Sequence, residues 1–503
     1  MVIPIDRNGS RPVFRQIVDY LRRNIESGRL PPGTKLQPIR LLARALGVNR
    51  ETVADAYREL ETLGMTESGV GRGTFVLART DVPRPGVTED KPAPRRPFVP
   101  ILSHAADTVT GLRLIDYTTD PHAVRLDRCV LDGSLYPIDE LRRALNHVLR
   151  RAGRTLLDYG DPRGHEGLRQ ILVERLTGYG IETNADDIVL TAGSTQALAL
   201  VAHTLCDPGD AVAVEEPAYP GAAAAFMALG LRPVAVPLGP DGMDLHALDT
   251  LLGRRGARLL YTMPTFHNPT GQTTSLEHRR SLLAIVARHG VAVLEDDFEK
   301  DMRVRGRPVP PLRALDGTGQ VVYAGTFSKA LFPGLRVGWI VGSRRVVEAA
   351  TALKRATNLT SSTVLQAALA EFCRAGAYDR HLRKMVRELA ARLGRAERAL
   401  GVHLPKGSTF TRPDGGLTNW VTLPEPIDTL ALLPEAKRAG VVYAPGTVFH
   451  PDGRRSSSLR LSVGQAGPDA LERGIATLGE VARVALGRRR GRREIAAAQS
   501  IHV

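Results

Sequence analysis

The sequence predicts an α/β fold, a mostly parallel sheet with helices on both faces, preceded by a small helical unit. Three observations predict it. Short apolar runs at 188–190, 211–214, 259–262, 291–294 and 321–324 alternate with stretches of helical periodicity, as strands buried on both faces do. Residues 81–100 carry six prolines among charges and almost no large apolar groups, a composition that favours an extended linker over a core. The 503 residues also exceed what a single core organises. The expected units are residues 1–78, a linker at 79–100, a body at 101–486 and a basic, unstructured tail at 487–503.

Apolar content of 43% and charged content of 24% are ordinary for a soluble globular chain. No signal-like start and no bilayer-length apolar run stands in the sequence, and Cys129, Cys206 and Cys373 match no metal-ligand spacing. A cytoplasmic protein is expected. The net charge of +15 points to a polyanionic partner and concentrates outside the body. Residues 1–78 hold 12 Lys and Arg against eight Asp and Glu, and the tail holds five arginines against one glutamate.

In the first unit Phe14, Ile17, Val18, Leu21 and Ile25 recur at helical spacing. Leu41, Leu42 and Leu46 place a second helix before Gly47. Asn49 is placed to cap a third, whose buried face would be Val53, Ala56, Tyr57, Leu60 and Leu63. Residues 65–76, with Gly69, Gly71 and Gly73, suit a β-hairpin. Two helices across a short turn followed by a hairpin predict a winged helix-turn-helix. The third helix would enter the DNA major groove by its N-terminal end, bringing Arg50, Glu51 and Thr52 to bases or phosphates. Arg40 would join from the second helix and Arg72 from the wing. The stretch PPGTKLQPIRLLARALGVNRETVADAYRELETLG resembles the DNA-binding domain of the GntR family over residues 12–77. Gln37-Pro38-Ile39 departs from the more frequent Pro-Ser-Ser, which leaves the cap of the second helix open.

In the body the most informative run is GTFSKALFPGLRVGW. Lys329 follows an apolar strand and offers an amine that condenses with an aldehyde. Thr326 and Ser328 offer hydroxyls to a phosphate, and Arg336 a planar charged fork. This is the layout of a pyridoxal 5′-phosphate site. Ser194, Thr195 and Gln196 open a helix directly after a strand, where backbone N–H groups and the positive helix end suit the same phosphate.

Residues 115–478 resemble fold-type I aminotransferases, and the GntR-like head on such a body resembles MocR/GabR-type regulators. The resemblance implies that Tyr219, in EEPAYPG, stacks on the cofactor ring. Asn268, in HNPTG, would donate to the ring hydroxyl oxygen. Asp296, in EDDF, would pair with the ring nitrogen, and Asp297 takes that place if the strand register shifts by one. Tyr159, in DYGDPRG, would reach a neighbouring subunit's phosphate, which implies a homodimer. Arg460, in LRLSV, would grip an effector carboxylate. Phe298 stands where many relatives have a tyrosine, and Gly221 where GABA-responsive members have an arginine, which argues against GABA recognition by that mode. The implied function is a regulator that binds double-stranded operator DNA and senses an amino acid or amine by Schiff-base exchange at Lys329. The same residues are those transamination requires, so an aminotransferase with an appended DNA-binding domain is the alternative.

Overall fold

A computed structural model describes residues 3–6, 12–69, 73–77, 100–112 and 122–500, with side chains to 488. The chain forms two units, Met1–Pro100 and Ile101–Val503.

The first unit has three helices, α1 (Val13–Glu26), α2 (Ile39–Leu46) and α3 (Arg50–Thr62), and an antiparallel hairpin of β1 (Thr66–Gly69) and β2 (Gly73–Val76). Its core is the set of apolar positions that recur at helical spacing, including Ile17, Val18, Leu21, Leu42, Val53, Ala56, Tyr57 and Leu60. Leu63, expected on that face, is instead 49% exposed, because α3 ends at Thr62 and the chain turns away there. Pro38 occupies the start of α2 and supplies no side-chain cap, whereas the Asn49 side chain accepts from Glu51 N at the start of α3. The segment before α2 also pairs with the hairpin, through Leu36 N to Thr74 O and Val76 N to Thr34 O.

The body is built on an eight-stranded sheet. Its strands are β4 (Ile188–Thr191), β5 (Ala211–Glu216), β6 (Arg232–Gly239), β7 (Gly242–Met243), β8 (Leu259–Thr262), β9 (Ala292–Asp296), β10 (Val321–Thr326) and β11 (Gly338–Val341). They lie in the order β4-β11-β10-β9-β8-β5-β6-β7. The pairs β10/β9, β9/β8, β8/β5 and β5/β6 are parallel, whereas β11 runs antiparallel to both of its neighbours. Val, Leu, Ile and Ala dominate both faces of β4, β5, β8, β9 and β10, which is why these strands read as near-continuous apolar runs.

Smaller sheets complete the body. β12 (Thr409–Phe410), β13 (Thr418–Thr422), β16 (Ser458–Ser462) and β15 (Ala444–Pro445) form one. β3 (Val124–Arg125) and β14 (Val441–Val442) form another. The last helix is Pro468–Ser500. The run from Gly487 therefore continues a helix where an unstructured tail was expected. Arginine, alanine, glutamate and glutamine are all good helix formers, and that propensity outweighs the charge repulsion. Among the described residues no helix is long and apolar enough to cross a membrane.

Candidate cofactor, effector and DNA sites

The parallel strands β8, β9 and β10 end at one edge of the sheet, the edge where ligands collect in such folds. Lys329 lies in the turn after β10, and its Nζ donates to Cys129 O at 2.8 Å. Asp296 is the last residue of β9, paired in register with Ala324 of β10, and is 1% exposed. Its Oδ2 accepts from the Tyr261 hydroxyl at 2.9 Å, and its Oδ1 is buried with no partner. Burial pushes its carboxyl up to about 7, against the opposing pull of the Tyr261 hydroxyl and Lys329. Asp297 turns the other way, to the Tyr323 hydroxyl at 3.3 Å and Lys300 at 3.6 Å. Of the two carboxylates left open by the sequence, Asp296 is thus the one in the field of Lys329.

An anion cradle forms beside them. The turn from β4 into helix Ser194–Leu205 passes through Gly193, whose φ of +94° suits glycine. A Cβ there would lie 2.6 Å from the Arg336 guanidinium, so only a bare backbone lets that group rest against the helix start. Arg336 anchors itself by donating to Ala192 O at 2.8 Å. Gln196 accepts from Ala192 N at 2.7 Å and so closes the turn with its side chain. Ser194 is half-buried and Thr195 exposed at the first helical turn. The Thr326 hydroxyl is 3.0 Å from both Ser328 Oγ and Val337 O and accepts from Ser328 N. It has one proton, and the Val337 carbonyl can only accept. Thr326 therefore braces the turn, with the Ser328 hydroxyl beside it at the same edge.

Tyr219 caps helix Pro220–Ala228, and its ring covers Gly221, where a Cβ would lie 2.5 Å from the phenol carbon and oxygen. Any side chain at 221 would displace that ring. Asn268 Oδ1 accepts from Arg460 at 2.8 Å, which turns the amide NH2 into the remaining donor. Arg460, on β16, is 3% exposed, donates also to Asp127 O at 2.6 Å and stacks on Phe449. Lys329, Asp296, Asn268, Tyr219, Ser328, Arg336 and Arg460 are thus held by the elements that flank this edge. Phe298 packs into the core with Tyr261 and Ala218. Tyr159 is 79% exposed.

Two side chains of the cluster were not read from the sequence. Tyr261 reaches Asp296 from the neighbouring strand, and the pairing of β8 with β9 is a tertiary fact. Glu299 is 1% exposed, and the acid-rich run EDDFE was its only signal.

At the head, Arg40 and Arg50 are exposed near the starts of α2 and α3, with Glu51 exposed and Thr52 half-buried beside Arg50. Arg72 lies outside the described residues.

The residues present fit pyridoxal 5′-phosphate. A free amine, a buried carboxylate oxygen awaiting a cationic partner and a helix start backed by an arginine match an aldehyde, a protonated ring nitrogen and a phosphate.

Comparison with known proteins matches the head and the body to different families. The profile of aminotransferase class I and II matches residues 128–478, and that of bacterial regulatory proteins of the gntR family matches residues 14–76. The chain is 31% identical over 485 residues to "Probable rhizopine catabolism regulatory protein MocR" of Rhizobium meliloti, covering 95% of each. It is 30% identical over 477 residues to "Uncharacterized HTH-type transcriptional regulator YdfD" of Bacillus subtilis, covering 93% of this chain and 96% of that one. Among solved structures, kynurenine aminotransferase of Pyrococcus horikoshii, in complex with PMP, superposes with a TM-score of 0.70 at 30% identity. That match covers 76% of this chain and 93% of the other.

Proposed function

Because the chain belongs to the MocR-type regulators, a gntR-family head joined to a class I and II aminotransferase body, we propose that it senses an amino acid or amine at Lys329 and answers through its head. The observation that carries this reading is the buried, half-satisfied carboxylate of Asp296 in the field of Lys329. Pyridoxal 5′-phosphate supplies an aldehyde for which amines compete and a protonated ring that withdraws electrons.

The chain's own residues do the rest. Lys329 would hold the cofactor through Nζ, at the position for which an effector amine competes. Asp296 would pair with the ring nitrogen, and Tyr219 would stack on the ring. Arg336, Ser328 and the N–H groups of Ser194 and Thr195 take the phosphate. Asn268 offers its NH2 to the ring oxygen, and the same Asn268 holds Arg460 in place to receive an effector carboxylate. Tyr159, exposed on one copy, reaches the phosphate site of a second, so the assembly is a homodimer. Arg40, Arg50, Thr52 and Arg72 meet the operator. The effector acts only through its unequal affinity for two arrangements of the body.

Borohydride reduction of the purified protein tests the cofactor: the label belongs on Lys329, and a peptide map that puts it on another lysine ends this reading. The second reading is an active aminotransferase, favoured by the presence of every residue that chemistry needs. Amino acids that change the DNA complex with little keto-acid release support the regulator. Fast turnover with no effect on DNA binding reverses the order.

A further inference from the structure

Glu299 enters neither the cofactor contacts nor the effector contacts above, yet it is fixed in the middle of them. Its Oε2 accepts from Leu417 N at 3.1 Å, and a Cβ on Gly416 would lie 2.5 Å from the same oxygen. The carboxylate is therefore clamped from one side. Its other oxygen, Oε1, is buried and has no partner. Leaving a buried carboxylate oxygen unpaired is costly, so such an atom calls for a donor.

Two cations stand near it. Lys329 and Arg460 both pull its carboxyl down, and Asp296 pushes it up. Arg460 already donates to Asn268 and Asp127 through its two terminal nitrogens. The Cys129 thiol lies in the field of Arg460, Lys329 and Glu299 together, and Lys329 Nζ donates to the carbonyl of that residue. Burial pushes Glu299 up to about 7, as expected of a carboxyl whose cation is not yet engaged.

We propose that Glu299 Oε1 is the resting place of the Lys329 ammonium once an effector amine has displaced it, and that this pairing makes the site a sensor. The proposal rests on the reading that Lys329 gives way to an effector amine. In that exchange the carbon–nitrogen bond to Nζ breaks and the bond to the effector nitrogen forms. The effector ammonium gives up the protons its nitrogen loses on forming the new imine, and Nζ takes up the same number to leave as an ammonium, so charge and atoms balance. An ammonium has no lone pair with which to remove the effector's α-proton. Glu299, by keeping Lys329 an ammonium, halts the chemistry after binding. It is a positioning residue, acting through Lys329.

The full-length protein loaded with pyridoxamine 5′-phosphate carries a free Lys329 and tests this directly. Competitive acetylation with acetic anhydride across pH, read by peptide mass spectrometry, gives the Lys329 pKa. Glu299→Gln is expected to lower it by about one unit, a roughly tenfold larger neutral fraction. Glu299→Asp, which keeps the charge but withdraws it by one methylene, is expected to lower it by less. If Glu299→Gln does not fold, Glu299→Asp carries the test. An unchanged Lys329 pKa in the variants that fold overturns the pairing. Keto-acid release from an equimolar mixture of L-amino acids is expected to rise in Glu299→Gln, and a lowered pKa without that rise overturns the halting role. A wild-type protein that takes up no pyridoxamine 5′-phosphate overturns the cofactor reading itself, before any variant is compared.

Discussion

Asp296 shows what a single buried carboxylate asks of its surroundings. One oxygen is paired with Tyr261 and the other waits for a cation. Asp296→Asn keeps the shape and removes the charge, so affinity for pyridoxal 5′-phosphate should fall about tenfold to a hundredfold in an absorbance titration. The same group makes the cofactor-free protein sensitive to pH. Its carboxyl rises from 3.8 to about 7 on folding, so the folded state holds the proton more tightly than the unfolded one. The stabilisation is complete below pH 4 and is lost as pH rises through 7, on the order of 4 kcal/mol in all. Thermal scans of cofactor-free protein between pH 5 and 8 should show that decline, and Asp296→Asn should flatten its share. Gly221 presents the opposite case, a position defined by what is missing. Gly221→Ala would push the Tyr219 ring aside at a cost of roughly 1–3 kcal/mol, the range for an overfilled site. A shifted absorbance of the bound cofactor, with the head's melting unchanged, is the expected result. Lys329 and Arg336 were legible because their residue types and spacing carry the chemistry in one run. Tyr261 was not, since it meets Asp296 across 35 residues and two strands. Glu299 was written in the acid run, but only burial separates it from an ordinary surface acid.

At the scale of elements the apolar runs were enough. Each of the five expected strands forms, because a strand buried on both faces reads as a near-continuous apolar run. The two-residue strands β3, β12, β14 and β15 left no such trace, since their pairing is set by neighbours far along the chain. The helix that continues to Ser500 was misread because charge was weighed above propensity. In the head, the Asn49 cap fixes the start of α3 and with it the aim of Arg50. Asn49→Ala should cost about 1 kcal/mol, read as a lower melting point of that unit. Arg50→Ala should relax base discrimination in a binding-site selection, whereas a loss of affinity equal on every sequence would assign Arg50 to phosphates alone.

The molecule as a whole joins a short reader of DNA to a long pocket for a small ligand. The full chain should bind operator DNA more tightly than residues 1–78 alone, because the homodimer proposed above would hold two heads at high effective concentration. Equal affinities in a gel-shift titration would deny the dimer that role. The contacts that close the pocket are remote in sequence: Lys329 to Cys129 spans 200 residues, Arg460 to Asn268 192, and Arg460 to Asp127 333. The head, by contrast, is complete by Val76. A ribosome adding about 5–20 residues per second needs roughly 20 to 75 s to travel from there to Arg460. For that interval each newborn chain carries a complete gntR-family head while the pocket of the body is still unmade. Birth order thus gives every copy a stretch of time as a head alone, longest when translation is slow.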